Sequence, residues 1–255
     1  MHENPLTERQ QAIMAIVGEQ GFATVEALAR HFGVSAQSVR RDIIRLDADG
    51  FLQRFHGGAG IREASVRLGY AEKRVIAADA KERIGEAAAA LIPDGSIVFL
   101  DVGTTVEAVA RALRQKPRLH VFTVSLPAAA LLIGRPGIDL FVLGGSVRGA
   151  DGSLAGEATL AAVGRFRFDH AVIGYSGFDS DGALMDYDME KVAVKQAAIA
   201  RADMTIAVGD SSKFRRSAMV RIAPPDAVAS IVSDAPPPRE LGDLLKKNRV
   251  RLLAS

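Results

Sequence analysis

From residue 79 onward, short apolar runs alternate with helix-patterned stretches, and no other feature constrains the fold as strongly. Runs rich in Val, Ile and Leu fall at 97–100, 119–123, 138–143, 171–174, 204–208 and 228–232. Helical patterning falls at 79–92, 106–114, 127–133, 159–163 and 190–201. Strands of that composition are buried on both faces, which requires a parallel sheet sandwiched between helices. The composition supports such a core: 48% of the 255 residues are hydrophobic and 24% are charged. Disordered, collagenous and coiled-coil classes are excluded. The chain has no cysteine, so disulfides, thiolate metal sites and cysteine nucleophiles are excluded too. His2, His31, His56, His120 and His170 show no metal-ligand spacing, and neither a metal nor a cofactor is expected. The start, MHENPLTERQ, lacks a basic segment followed by an apolar run. The uncharged stretch at 119–134 is too short to span a membrane and contains Pro127. A cytoplasmic protein with no membrane partner is expected.

Residues 1–60 read differently. Thr7 and Gln10 fit a capping box ahead of Ile13, Ile16 and Val17, and Gly21 ends that helix. Thr24 caps a second helix that Gly33 stops, and Ser35 caps a third that begins at Ala36. Three short helices with a tight turn at Gly33 make a helix-turn-helix candidate. At 100° per residue, Val39, Ile43 and Leu46 share the inward face of the third helix. Gln37, Ser38, Arg41 and Arg45 face the other way, with Arg40 on the flank. Such a face suits the major groove, where Arg reads guanine and Gln reads adenine. Ser35 sits where a helix N-terminus can meet a phosphate. The strand pattern at 51–55 and the His56-Gly57-Gly58 turn outline a wing, with Arg54 and His56 near DNA. Net charge does not announce a nucleic-acid partner. The whole chain is +2, and in residues 1–60 six arginines against seven acids leave −1. Yet four of those six arginines lie between 40 and 54, at the third helix and wing.

The stretch ERQQAIMAIVGEQGFATVEALARHFGVSAQSVRRDIIRLDADGFLQRFHGGAG resembles the winged helix-turn-helix of the DeoR family of bacterial transcription regulators. Its V-S-x-x-S-V-R-R-D-I-x-x-L run, followed by H-G-G, carries that resemblance. The resemblance implies that residues 36–48 form the recognition helix.

In a parallel sheet the chemistry collects at the carboxyl ends of the strands. Asp101-Val102-Gly103-Thr104-Thr105 follows the first strand and opens a helix, offering free amides and two hydroxyls to an anion. Gly144-Gly145-Ser146-Val147-Arg148 follows the third and can form an amide nest with a cation beside it. Gly174-Tyr175-Ser176-Gly177 follows the fourth, and Asp210-Ser211-Ser212-Lys213 the fifth. Together they describe a site for a small phosphorylated metabolite. Asp101 would repel a phosphate, so it is assigned to loop amides or ligand hydroxyls.

The stretches DGSLAGEATL, SDGALMDYD, GDSSKFRRSAMVRI and VSDAPPP extend the resemblance to the DeoR-family sensor domain. That resemblance implies a Rossmann-like fold related to ribose-5-phosphate isomerase and a sugar phosphate as effector, glycerol 3-phosphate foremost. It carries Asp101, Gly103, Thr104, Thr105, Gly144, Gly145, Arg148, Gly177, Lys195 and Lys213 into the site. Ser125 joins them from Thr123-Val124-Ser125-Leu126, where the family commonly has an Asn after the Thr. Lys191 stands where a Glu is frequent. The expected organisation is a winged helix-turn-helix at 1–60, a partly helical linker at 61–78 and a sensor domain at 79–255. The expected function is a repressor of carbon metabolism genes, glycerol genes among them, that binds double-stranded operator DNA as a homodimer or homotetramer. The rival is a sugar-phosphate isomerase with an appended helical domain. Asp151, Glu157 and Asp186 are available there as a general base, and no spacing singles one out.

Overall fold

The computed structural model describes residues 6–20, 22–55, 57–61 and 70–255. In the N-terminal unit, α1 (Glu8–Gln20) starts with the expected capping box. The Thr7 amide donates to Gln10 Oε1 at 3.0 Å and the Gln10 amide to Thr7 Oγ1 at 3.2 Å. Helix α2 (Val25–Phe32) is capped by Thr24 and closed by Gly33 at φ 62°, a left-handed position. Helix α3 (Ala36–Ala48) is capped by Ser35, whose Oγ accepts from the Ser38 amide at 3.2 Å. Ile13, Val17, Leu28, Val39, Ile43 and Leu46 are buried together and join the three helices. Removing such side chains from water stabilises by roughly 1.5–3 kcal/mol each. Asp42, nearly buried on α3, accepts from Arg9 Nε at 2.6 Å and from Gln10 Nε2 at 3.3 Å, which ties α1 to α3. Strand β1 (Phe22–Thr24) pairs antiparallel with β3 (Gly58–Ile61), and β3 with β2 (Leu52–Phe55). Only the β2 part of this sheet was legible in the sequence. The expected helix stop at Gly21 and the wing residue His56 lie outside the described residues.

The larger unit begins with α4 (Tyr70–Val75) and α5 (Ala78–Ala90). Strand β4 (Ile97–Leu100), α6 (Thr104–Leu113), β5 (Leu119–Thr123), α7 (Leu126–Leu132) and β6 (Ile138–Val142) follow. A hairpin, β7 (Ser146–Arg148) and β8 (Ser153–Ala155), leads to α8 (Glu157–Gly164) and β9 (Phe168–Gly174). Then come β10 (Gly177–Phe178), β11 (Leu184–Asp186), α9 (Met189–Ile199) and β12 (Ala202–Val208). The chain ends with β13 (Val220–Ala223), β14 (Ser230–Ser233), α10 (Arg239–Lys247) and β15 (Arg251–Ala254). Seven strands form one parallel sheet in the order β15-β14-β12-β9-β4-β5-β6. Strand β14 starts two residues after the expected 228 and ends one after the expected 232, and β15 adds a seventh strand.

Alternation along the strands supplies a core to each face. Val98, Leu100, Val172 and Ile206 meet Ile84, Val109 and Leu132 from α5, α6 and α7. Phe99, Ile173 and Ala207 meet Val163 of α8 and Val192 of α9. The strand order runs outward from β4 in one direction and from β9 in the other. The crevice at the carboxyl ends of β4 and β9 is therefore the topological switch point, where open α/β sheets bind ligands.

Candidate functional site

On α3, Gln37, Arg40 and Arg41 are exposed, and Ser38 is half-buried. Arg40 lies 3.7 Å from Glu26, a solvent-exposed pair. Arg45 is half-buried and lies 3.7 Å from Asp49, one turn on along α3. Arg41 makes no ion pair among the described residues. Arg54 projects from β2, and its amide donates to Asp47 Oδ1 at 3.1 Å, which fixes the wing strand against α3. Arg40, Ile43, Ile44, Arg54, Gly57 and Gly58 line a groove of about 510 Å³ between helix and wing. The sequence reading missed Ile44. It is 48% exposed on a face that otherwise reads as polar. Its signal was an Ile one turn beyond Arg40 and Arg41.

At the switch point the chain builds a buried ionic centre. Lys195, on α9, is 2% exposed at its side chain and Asp101, after β4, is 1% exposed. Lys195 Nζ donates to Asp101 Oδ2, to the Gly174 carbonyl at 2.9 Å, and lies 3.4 Å from Asp186 Oδ2. Asp101 Oδ2 also accepts from the Gly174 amide at 3.0 Å, so the carboxylate does take a loop amide as expected. Burial alone would lower Lys195, but the two carboxylates outweigh it and hold the ammonium charged. Burial would raise Asp186, but Lys195 and the Ser176 hydroxyl outweigh it and keep it ionised.

Around this centre stand further charges. Lys191 Nζ donates to Asp151 Oδ2 at 2.6 Å. Asp210 caps the short 3₁₀ turn at Ser211–Arg215 and accepts from the Ser212 amide at 3.1 Å. Lys213 stands in that turn. Burial pushes its ammonium down to about 8, Asp210 draws it up, and Arg216, Lys73 and Asp186 also act on it. Lys73, Lys213 and Arg216 make no ion pair within 4 Å among the described residues. Gly103 opens α6 at φ 128°, a conformation that side chains disfavour, and Thr104 and Thr105 follow it in the first turn. Their hydroxyls and the free amides of the turn face no internal hydrogen-bond partner among the described residues.

Other expected site residues sit elsewhere or are spent on structure. Ser125 is buried and accepts from the Ala128 amide at 3.2 Å as the cap of α7. A Cβ on Gly177 would lie 2.2 Å from the Arg216 carbonyl, and one on Gly145 would lie 1.9 Å from Thr159 Oγ1. Gly177 is thus packed against backbone and Gly145 against a side-chain hydroxyl. The Gly144 carbonyl accepts from the Thr159 hydroxyl at 2.8 Å. Arg148 is exposed on the hairpin and bonds Glu190 Oε1 at 3.0 Å. Tyr175 was not singled out in the sequence. Its hydroxyl is buried beside Gly209 without a hydrogen-bond partner among the described residues, and burial with Asp210 and Asp234 keeps it neutral.

Residues 9–65 match the DeoR-like helix-turn-helix domain, and residues 76–235 match the DeoR C-terminal sensor domain. The chain belongs to the DeoR family. It carries both of the family's domains, the make-up of a transcriptional repressor. This DeoR-family chain is 37% identical over 246 residues to the glycerol-3-phosphate regulon repressor of Escherichia coli (strain K12), over 96% of this chain and 98% of that one. It is 39% identical over 214 residues to the glycerol-3-phosphate regulon repressor of Haemophilus influenzae, over 84% of each chain. It is 34% identical over 245 residues to the HTH-type transcriptional repressor CsqR of Escherichia coli (strain K12), over 96% of this chain and 94% of that one. Among solved structures, ribose 5-phosphate isomerase A of Methanocaldococcus jannaschii is similar with a TM-score of 0.41 and 18% identity, covering 54% of this chain and 55% of that one. Among the described residues, no helix is long and apolar enough to cross a membrane.

Proposed function

We propose that this DeoR-family chain represses carbon metabolism genes, those of glycerol utilisation among them, and leaves its operator when a phosphorylated metabolite fills the switch-point crevice. Glycerol 3-phosphate is the effector we put first, because two of the relatives above are named for that regulon. The DNA-reading unit is residues 1–60, joined by 61–78 to the sensor at 79–255. Within it Ser35, Gln37, Ser38, Arg40, Arg41, Arg45, Arg54 and His56 form the DNA face. Gly103, Thr104, Thr105 and Lys213 receive the phosphate. Asp101 shapes that site through Lys195 and Gly174.

The observation that carries the reading is the outward face of α3. Gln37 and Arg41 are exposed on a helix held from behind by Val39, Ile43 and Leu46, beside a groove flanked by Arg40 and Arg54. A rigid helix that presents donors without internal partners is built to read base edges. The isomerase rival is disfavoured by the state of two of its three candidate bases. Asp151 is held below the usual carboxylate range because Lys191 outweighs burial, and Asp186 is held there by Lys195. Ionised carboxylates locked to lysines make poor proton acceptors at carbon.

Retardation gels with upstream DNA test the claim, with Arg41→Ala beside the parent. The parent should bind, and Arg41→Ala should lose about 1–3 kcal/mol on the specific site. Thermal-shift screening with phosphorylated metabolites should show glycerol 3-phosphate stabilising the protein. Equal operator binding by parent and variant would remove α3 from the reading role. An isomerase activity without DNA binding would replace the proposal with its rival.

A further inference from the structure

Helix α4 is the first described element after the winged unit, and it is fastened to the sensor at two points. The Tyr70 hydroxyl donates to Glu107 Oε1 at 2.6 Å, and Arg74 Nε lies 3.7 Å from Glu107 Oε2. Glu107 is 2% exposed and belongs to the first turn of α6, the helix that opens at Gly103. The buried Lys81 of α5 donates to the Ile76 carbonyl at 2.7 Å and to that of Lys73. These bonds hold the backbone of α4 beside the crevice.

The charge of Lys73 reaches groups from distant parts of the sensor: Asp186 of β11, Lys191 of α9, Asp151 of the hairpin turn, and Arg216. Lys213 in turn feels Lys73. The carboxylates here are largely committed, Asp151 to Lys191, and Asp101 and Asp186 to Lys195. Asp210 is engaged by the Ser212 amide and hydroxyl. Three cations, Lys73, Lys213 and Arg216, thus converge with no ion pair among the described residues. Lys73 and Arg216 are exposed and Lys213 is half-buried, and like charges gathered at the rim of a crevice repel one another. A phosphate monoester carries about −1.5 to −2 charges at neutral pH and relieves that repulsion.

We propose that the Lys73 ammonium is a direct ligand of the effector's phosphate, so that filling the crevice fixes the helix leading from the DNA-reading unit. The inference rests on the reading of the crevice as a phosphorylated-metabolite site and adds a ligand that the strand-end loops do not supply. It also gives the effector a mechanical handle. A phosphate gripped by Lys213 on one side and Lys73 on the other draws α4 against the 3₁₀ turn, and the chain entering α4 comes from the winged unit.

Calorimetry with glycerol 3-phosphate on the full chain tests this, with Lys73→Met, Lys73→Gln, Lys73→Arg and Lys213→Met beside the parent. Two neutral replacements keep the outcome independent of whether one of them folds. Loss of a charge-assisted bond should weaken binding by about tenfold to a hundredfold in Lys73→Met and Lys73→Gln. Lys73→Arg should recover most of it. Saturating glycerol 3-phosphate should slow amide hydrogen exchange across residues 70–75 in the parent and leave it unchanged in Lys73→Met. If Lys73→Met and Lys73→Gln bind like the parent while Lys213→Met does not, Lys73 is no ligand and the crevice reading stands. If the parent binds neither glycerol 3-phosphate nor any other phosphorylated compound tried, both fall together.

Discussion

Lys195 and Lys213 show how differently one residue type is used within one sensor unit. Lys195 is enclosed by Asp101 and Asp186 and stays charged; it organises the crevice. Breaking a buried pair strands the remaining charge, so Lys195→Met should lower stability by about 3–5 kcal/mol in urea unfolding. A loss below about 1 kcal/mol would mean that the centre is no structural anchor. Lys213 has no committed partner, and burial brings it down to about 8, with Asp210, Arg216, Lys73 and Asp186 facing it. Affinity for a phosphate should rise from about pH 5 to about pH 7 as the ligand loses its second proton near pH 6. It should fall above pH 8 as the free Lys213 loses its own. An unfolded lysine titrates near 10.4, so between those values the folded state binds fewer protons, and its stability should rise with pH there. Calorimetry across that range checks the first claim, and equal affinity at about pH 7 and about pH 9.5 would contradict it. Such pairings were illegible in the sequence. Asp101 and Lys195 lie 94 positions apart, and only the sheet order joins them. The Arg148 partner Glu190, 42 positions on, was equally hidden.

At the scale of elements, legibility followed burial. Strands β4 and β5 fall where the apolar runs put them, at 97–100 and 119–123, because both of their faces are covered. Strand β3 was missed because Gly58-Ala59-Gly60-Ile61 has little strand propensity. It pairs because β1 and β2 flank it, and a Cβ on Gly58 would meet the Ala23 carbonyl at 2.4 Å. Strand β15 is a short edge strand with two of its four residues exposed, so it carries little pattern. The other edge, β6, exposes Phe141 and Val142, each 44%, with Ile133 and Val147 near it in sequence. An exposed apolar edge is a template for pairing, and a second copy of the sensor is expected there. Val142→Glu should shift sedimentation toward a smaller species. An unchanged species would move the contact elsewhere.

For the whole molecule, two winged units are expected to act on one two-fold operator, since a single small unit makes few contacts. Half-sites repeat at fixed helical intervals, so a modest reorientation of the units ends simultaneous contact. The described structure offers a route for that reorientation through α4, which Tyr70, Arg74 and Lys81 fasten between α6 and α5. Fold class was readable from the strand–helix alternation alone. The route was not, because nothing in the spacing of residues 61–78 shows that Tyr70 reaches Glu107. Coupling between effector and operator is reciprocal by linkage and typically amounts to about 1–3 kcal/mol, or roughly 5–150-fold. The most direct test is the affinity for glycerol 3-phosphate with and without saturating operator DNA. The account predicts weaker binding on DNA, by the same factor by which the effector weakens operator binding. Equal affinities with and without DNA would contradict it and leave the crevice uncoupled from repression.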